Sequence, residues 1–167
     1  VAVKTNLISL LDNTYPGVNK LFDSPTRDDG SEKWVDYAYS FWHVDCVRKI
    51  GLKAFTERYE AFCKKHHYNY QKNKPALLFE ESKQLVAVFP KGKSYKLLIQ
   101  QSIQQLRLAS EHIEIIRKEM NELASTLPEY ETVMSMYGVG ETYGPQLIAE
   151  IGDVSRFTHR EAITAFA

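Results

Sequence analysis

One stretch, residues 94–127, constrains the fold more than any other part of the chain. Nine positions in it, all but one apolar, span 28 residues in eight steps of mostly three and four: Ile99, Ile103, Leu106, Ser110, Ile113, Ile116, Met120, Leu123 and Leu127. The mean spacing of 3.5 is typical of a coiled coil. Ser94 fits an N-cap and Pro128 follows the end, so the pattern predicts one helix over Ser94–Leu127.

The partner of this long helix stays open on sequence alone. Further apolar residues widen its stripe, so the surface it meets can be more than one helix: Leu97, Leu98, Leu108 and Ile115. Periodicity does not separate a helix packed in its own bundle from one that pairs with a second copy of the chain. Packing within the chain and pairing with a second copy therefore both remain possible for this helix.

Shorter helices are predicted before the long one. Four segments have helical patterns: 1–11, 34–47, 52–67 and a segment that Pro75 starts and that runs toward Phe89. Turns at Tyr15-Pro16-Gly17 and Gly51 separate them, and the polar stretch 24–31 is the best candidate for a mobile connection. A short strand at 85–89 is the alternative to helix there. The prediction is an all-α chain.

Net charge is zero over the 167 residues, but its distribution is uneven. Residues 48–74 carry eight Lys or Arg against two Glu, a net charge of +6, whereas residues 1–47 sum to −3 and residues 128–167 to −4. Most cations of the 52–67 helix lie off its apolar face, and Lys64 and Lys65 are our candidates there for phosphate contacts. Interleaved Tyr59, Tyr68 and Tyr70 could stack on bases. The alternative is a solvated helix face.

Several other classes of protein and site fit poorly. Two cysteines, Cys46 and Cys63, are too few for a disulfide scaffold, so the cytoplasm is the expected compartment. No apolar run is long enough to span a membrane. The spacing of Cys46 and Cys63 relative to His66 and His67 fits no usual pair of zinc ligands, so we expect no metal site. The start at Val1 and the end at Ala167, inside an apolar run, indicate a piece of a longer protein.

Residues 133–152 contain the one motif that indicates a function. Their pattern is typical of a helix-hairpin-helix unit: Val133 and Met136 on a first helix, Gly138-Val139-Gly140 as the hairpin, and Leu147, Ile148 and Ile151 on a second. Glycines permit positive φ and let a phosphate approach the backbone, and Val139 would insert into the core. Such a unit holds the sugar-phosphate backbone without reading bases. A plain helical hairpin is the alternative.

Further residues around this motif complete the predicted contact surface. Thr142 is expected to cap the second helix, and Pro145 to lie in its first turn, which makes the helix start an anion site. Thr158-His159-Arg160-Glu161 has the form of a capping box for a third helix. The predicted DNA-binding residues of this region are Gly138, Val139, Gly140, Thr142, Gly144, Arg156 and Arg160. No catalytic residue and no metal ligand is predicted.

The same residues carry a resemblance to a known family. The runs Leu127–Tyr130, Gly138–Gly140, Gly144–Phe157 and Ala165–Ala167 resemble the start of the C-terminal domain of bacterial insertion-sequence transposases of the IS-one-ten type. Asn6–Leu11 through Tyr15-Pro16-Gly17 and Leu21-Phe22 are similar to the segment that follows the RuvC-like DEDD domain in that family. The middle of the chain resembles the family only in being helical.

The resemblance implies a function for the parent protein rather than for this chain alone. The family's four acidic residues, which hold a divalent metal such as Mg²⁺, would lie before Val1, and its catalytic serine would lie after Ala167. We therefore expect a helical bundle over residues 1–127 and a truncated helix-hairpin-helix unit over residues 128–167. Expected partners are DNA, a structured guide RNA and a second copy joined through the long helix.

Two functions of other classes remain as alternatives. The first is a non-catalytic helix-hairpin-helix adaptor that binds DNA, and the second is a coiled-coil module that only oligomerises. The adaptor would bind DNA without belonging to a recombinase, whereas the module would dimerise without affinity for nucleic acid even at low salt.

Overall fold

A computed structural model describes residues 2–27, 30–153 and 156 of the chain. Within these ranges the regular elements are helices and no strand occurs, which confirms the all-α class. The helices are α1 Ala2–Asp12, α2 Lys33–Ser40, α3 Asp45–Arg48, α4 Leu52–Lys65, α5 Lys74–Gln84, α6 Lys93–Ala124, α7 Tyr130–Met134 and α8 Gly144–Ile151, with a 3-10 turn at Val18–Lys20. Among these described residues, no helix is both long enough and apolar enough to cross a bilayer.

The chain divides into two compact units, Val1–Glu111 and His112–Ala167. The sequence predicted a boundary after residue 127 instead. The division falls earlier because the end of α6 shares a small core with α7 and α8, through Ala124.

An aromatic core holds the first unit together. Tyr37 of α2 is fully buried at its centre, and five rings surround it with centroids 4.8–6.3 Å away: Tyr15, Phe22, Phe41, Tyr59 and Phe62. Most of these pairs meet edge to face, the favoured arrangement for aromatic quadrupoles. The Tyr15 and Tyr37 hydroxyls lie 3.2 Å apart and satisfy each other, so the core buries two polar groups without leaving them unpaired.

A buried carboxylate joins three elements of this unit. Asp36, next to Tyr37 on α2, accepts a hydrogen bond from Arg107 Nη2 of α6 at 2.6 Å and one from the Tyr68 hydroxyl at 2.7 Å. His66 Nδ1, just after α4, lies 3.3 Å from the same carboxylate. Because the Asp36 side chain is only 8% exposed, these partners are what make its burial tolerable.

The aromatic segment 34–47, predicted as one helix, is broken between α2 and α3. His43 is buried there: its Nδ1 accepts the Asp45 N–H at 3.0 Å, and its Nε2 lies 3.0 Å from the Phe89 carbonyl. The Val44 N–H donates to the Thr14 carbonyl at 3.1 Å. Tertiary hydrogen bonds thus use backbone and side-chain groups that a continuous helix would need for itself.

Residues 85–89 adopt neither of the predicted conformations. α5 ends at Gln84, and the Val88 and Phe89 N–H groups both donate to the Asn13 carbonyl, at 2.9 and 3.0 Å. Val86 and Val88 are more than two-thirds exposed. The segment is an extended connection fixed by a few polar contacts.

Gly51 separates α3 from α4, as its position in the sequence predicted. Its φ of 80° and ψ of 156° lie in a region essentially closed to residues with a Cβ. α4 then buries Phe55, Tyr59, Phe62 and Cys63 on one face, which confirms the predicted amphipathic helix.

The long helix α6 has a buried part and an exposed part. Ile99 and Ile103 have no exposed surface, so in the first unit the helix packs within its own chain. Further along, Ile113 is 49% exposed and Ile116 is 55% exposed, although both continue the same apolar stripe. The helix begins one residue before the predicted N-cap Ser94 and ends three residues before Leu127.

The second unit has a small core of its own. Ala124 of α6, Val133 of α7 and Ile148 of α8 are buried together. The partly buried residues Tyr130, Val139 and Leu147 pack against them. α7 and α8 thus pack against each other around this core.

Candidate nucleic-acid interface

The turn between α7 and α8 lies where the sequence predicts the hairpin of a helix-hairpin-helix unit. Gly138 has a φ of 81°, the left-handed conformation that favours glycine, and nothing lies within 4 Å of where a Cβ would be. Val139 turns inward onto the small core, as predicted. The Gly140 carbonyl accepts N–H groups from Tyr143 at 3.0 Å and Gly144 at 2.8 Å, and these bonds lead the chain into α8.

Three consecutive N–H groups of this turn are available to a ligand. Those of Gly140, Glu141 and Thr142 make no hydrogen bond to any residue that the structure describes. All three residues are exposed, and Gly140 has open space in place of a side chain. A run of unpaired N–H groups can receive a phosphate oxygen. The Glu141 carboxylate beside them opposes that use, since it repels the same anion.

Three details of the motif differ from the prediction. Thr142 does not cap α8: Tyr143 occupies the N-cap position without a side-chain hydrogen bond, because the Gly140 carbonyl organises this turn. Met136 lies beyond the end of α7 and is 48% exposed. Gly140, unlike Gly138, does not have a positive φ.

Gly144, predicted to contact DNA, has a packing role in the structure. It is buried at the start of α8, and a Cβ there would collide with the Met134 sulfur and lie 3.5 Å from Val139 Cγ1. Its own N–H already donates to Gly140. Pro145 follows in the first turn of α8, as predicted, and Gly152 ends that helix with a φ of 65°.

The end of the predicted surface is only partly described. Arg156 is exposed, and its N–H donates to the Asp153 carbonyl at 3.3 Å. Arg160 and the capping box Thr158–Glu161 lie outside the described residues.

α4 separates the two cations that the sequence grouped together. Lys64 and Lys65 are both exposed, but only Lys65 lines a cleft, where it lies on the same face of α4 as Arg58. Adjacent residues of a helix point about 100° apart, so one basic pair serves two different surfaces.

Other members of the basic stretch have partners inside the protein. Arg48 and Lys49 pair with Asp45 at 2.6 and 2.7 Å. Those two hydrogen bonds lower the pKa of Asp45, although burial by itself would raise it. Tyr59 is fully buried and cannot stack on a base, and Tyr68 lies under the Arg27 guanidinium at 4.0 Å.

Sequence reasoning missed a second group of cations on the first unit. Lys91, Lys93 and Lys96 precede or begin α6 and line the same cleft as Lys65. Their signal in the sequence is three lysines within six positions, 91–96, directly after a proline. They were missed because this short cluster lies outside the net-basic stretch 48–74.

The described residues contain no group of three or more His, Cys, Asp or Glu side chains placed to hold a metal ion. Cys46 and Cys63 are both free and buried. Burial raises the pKa of each thiol. Neither cysteine therefore has the low pKa that marks a reactive thiolate.

Comparison with known proteins bears on the hairpin region. Residues 130–167 match the family described as Transposase IS116/IS110/IS902 family. Over these residues the chain is similar to IS110-type transposases. The matched residues include α7, the hairpin and α8, which are the elements on which the resemblance to this family depends. No curated protein and no solved structure matches the chain.

Proposed function

We propose that this chain contributes nucleic-acid binding and self-association to a transposase that moves an insertion sequence. The observation that carries the proposal is the transposase match over residues 130–167, since it covers the hairpin. The partners would be the element's DNA and a structured guide RNA. The divalent metal and the catalytic groups would belong to other parts of the parent protein, and the cytoplasm would be its compartment.

The hairpin suits a contact with the nucleic-acid backbone. Gly138 sets the turn, the N–H groups of Gly140 and Thr142 have no hydrogen-bond partner among the described residues, and nothing lies within 4 Å of a Cβ at Gly140. N–H donors recognise phosphate oxygens on any sequence, so this contact would position the chain and leave the choice of sequence to the guide RNA.

A substitution at Gly140 tests this contact. Gly140 lacks a positive φ and has nothing within 4 Å of a Cβ, so Gly140→Ala and Gly140→Glu both fit the fold. We expect Gly140→Glu to weaken binding to duplex DNA by roughly 10-fold, because it adds a negative charge and bulk at the proposed phosphate position. Gly140→Ala adds one methyl group and is the matched control.

The measurement is a fluorescence-anisotropy titration at two salt concentrations, with helicity followed by circular dichroism. Equal affinity of wild type and Gly140→Glu, with helicity unchanged, would place the backbone contact elsewhere. Loss of binding in both variants would indicate that the turn tolerates no side chain at position 140. The comparison would then be repeated with Thr142→Glu, since Thr142 is also exposed.

Self-association is the second part of the proposal and has its own observation. Ile113 and Ile116 continue the coiled-coil spacing of α6 and are about half exposed, so this part of the stripe lacks a partner among the described residues. A second copy of the same stripe would cover it, since knobs and holes of identical helices are complementary. A module that only oligomerises would also dimerise, but it would have no affinity for nucleic acid.

Adjacent isoleucines provide a matched pair for the test. Ile116 belongs to the regular spacing of the stripe, and Ile115 lies at its margin, about 100° away, while their exposures are 55% and 50%. We expect Ile116→Glu to weaken the dimer measurably by analytical ultracentrifugation and Ile115→Glu to weaken it clearly less. A monomeric wild type, or equal effects of the two variants, would contradict pairing through this stripe.

A further inference from the structure

The first unit contains a cleft of about 800 Å³ whose lining carries positive charge and no carboxylate. One wall is the face of α4, and the other is the segment that leads into α6. Five Lys or Arg side chains line it: Arg58, Lys65, Lys91, Lys93 and Lys96. We propose that this cleft is a binding site for the phosphodiester backbone of a nucleic-acid strand.

The charges of the cleft lack acidic partners among the described residues, which is the first argument. Of the five cations, none forms an ion pair with a carboxylate among the described residues, and all five are exposed. Elsewhere in the same unit Lys4, Arg48 and Arg107 are paired with acidic residues at 2.6–2.7 Å. Like charges gathered without counter-charges repel one another, so an anionic ligand would relieve the repulsion.

The arrangement of the charges favours a chain of phosphates over a single one. Arg58 and Lys65 are seven residues apart on α4, a rise of roughly 10 Å along the helix. Lys93 and Lys96 face them from the start of α6. One phosphate cannot reach charges so far apart, whereas successive phosphates of a strand can.

The floor of the cleft adds groups suited to sugars. The Ser40 side chain is exposed, and Gln100 and Tyr39 are half-buried beside it. Phe41, Trp42 and Phe62 support the floor but are each only 5% exposed, so they offer little surface for base stacking. The cleft would therefore hold a backbone and would not read bases.

This inference rests on the proposed function, because that function makes nucleic acid the expected polyanion, but it assigns a site in a different unit. We test it in the whole chain with Lys65→Gln/Lys96→Gln, which removes one charge from each wall. Lys20→Gln/Lys53→Gln is the matched control, since both lysines are exposed, have no ion pair among the described residues and lie outside both the lining and the predicted phosphate contacts.

Binding is measured against salt for single-stranded DNA, duplex DNA and structured RNA of equal phosphate number. We expect the cleft variant to bind roughly 10- to 50-fold more weakly near 0.1 M salt, with the slope of log K against log salt reduced by about 1.4–1.8. The nucleic acid whose affinity falls most in the cleft variant is the one that the cleft binds. A polyglutamate of equal charge that competes as well as nucleic acid would overturn the assignment.

A second readout locates the ligand directly. Acetylation of lysines, followed by mass spectrometry, should show Lys93 and Lys96 protected by the bound strand, and Lys53 unprotected. Equal effects of the cleft and control variants, or equal protection of all lysines, would refute the cleft. If only Gly140→Glu weakens binding, the cleft is refuted and the proposed function stands; if only the cleft variant does, the cleft stands and the hairpin contact is refuted.

Discussion

Asp36→Asn tests whether the buried carboxylate organises the first unit. The change keeps the shape of the side chain but replaces one acceptor oxygen with an NH₂ group that faces donors. Hydrogen bonds to charged groups contribute about 1.5–3 kcal/mol each. Asp36 accepts two short ones, but Arg107 is 43% exposed and regains water when the bond is lost. We therefore expect a loss of about 2–4 kcal/mol in the free energy of unfolding.

The assay uses the two tryptophans as reporters of this unit. Trp34 and Trp42, the only tryptophans of the chain, are both buried in the first unit, so urea denaturation followed by their fluorescence reports its unfolding. With about 4 °C per kcal/mol for a unit of this size, the melting temperature should fall by about 8–16 °C. Glu80→Gln, which loses an exposed pair with Lys83, is the control and should cost under about 0.5 kcal/mol. A loss under about 1 kcal/mol for Asp36→Asn would refute the reasoning.

Three further changes follow from groups in the same unit, each measured by the same urea denaturation. Tyr59→Phe should leave stability unchanged or raise it, because the Tyr59 hydroxyl is buried without a good partner among the described residues and has only the weakly accepting Cys63 thiol beside it; a loss above about 1 kcal/mol would contradict this. Gly51→Ala should cost about 1–3 kcal/mol, since alanine would be forced into a glycine-only conformation, and a neutral effect would show that the backbone relaxes there. Burial lowers the pKa of His66 despite the nearby Asp36, so the unfolded chain takes up the proton first and stability should decline as pH falls below about 6.5; His66→Gln should flatten that decline, and an unchanged pH profile would refute the assignment.

The sequence predicts the long helix well because a coiled-coil spacing leaves few other conformations. It does not predict which half of that helix is buried. Ile99 and Ile113 lie two heptads apart and so occupy equivalent positions in the repeat, yet one is fully buried and the other is 49% exposed. The difference depends on where the aromatic core around Tyr37 ends, and that is a tertiary property which no periodicity contains.

The candidate site shows the same division between local and tertiary information. The left-handed turn at Gly138 and the inward position of Val139 follow from residue types close together in the sequence. The prediction that Thr142 caps α8 is wrong because the Gly140 carbonyl accepts two N–H groups and shifts the start of that helix. The cleft was beyond sequence reasoning, since Lys65 and Lys96 are far apart in the sequence and line one cleft only in the folded chain.

The division of α6 into a buried and an exposed part has an evolutionary consequence. A substitution at Ile99 or Ile103 must be compensated by the aromatic neighbours within the same polypeptide. If a second copy covers Ile113 and Ile116, a substitution there alters both faces of a symmetric contact at once. Sequences that diverge from this one should thus accept conservative change at the two ends of one helix under different rules: repacking of a core at the first, and preserved self-complementarity at the second.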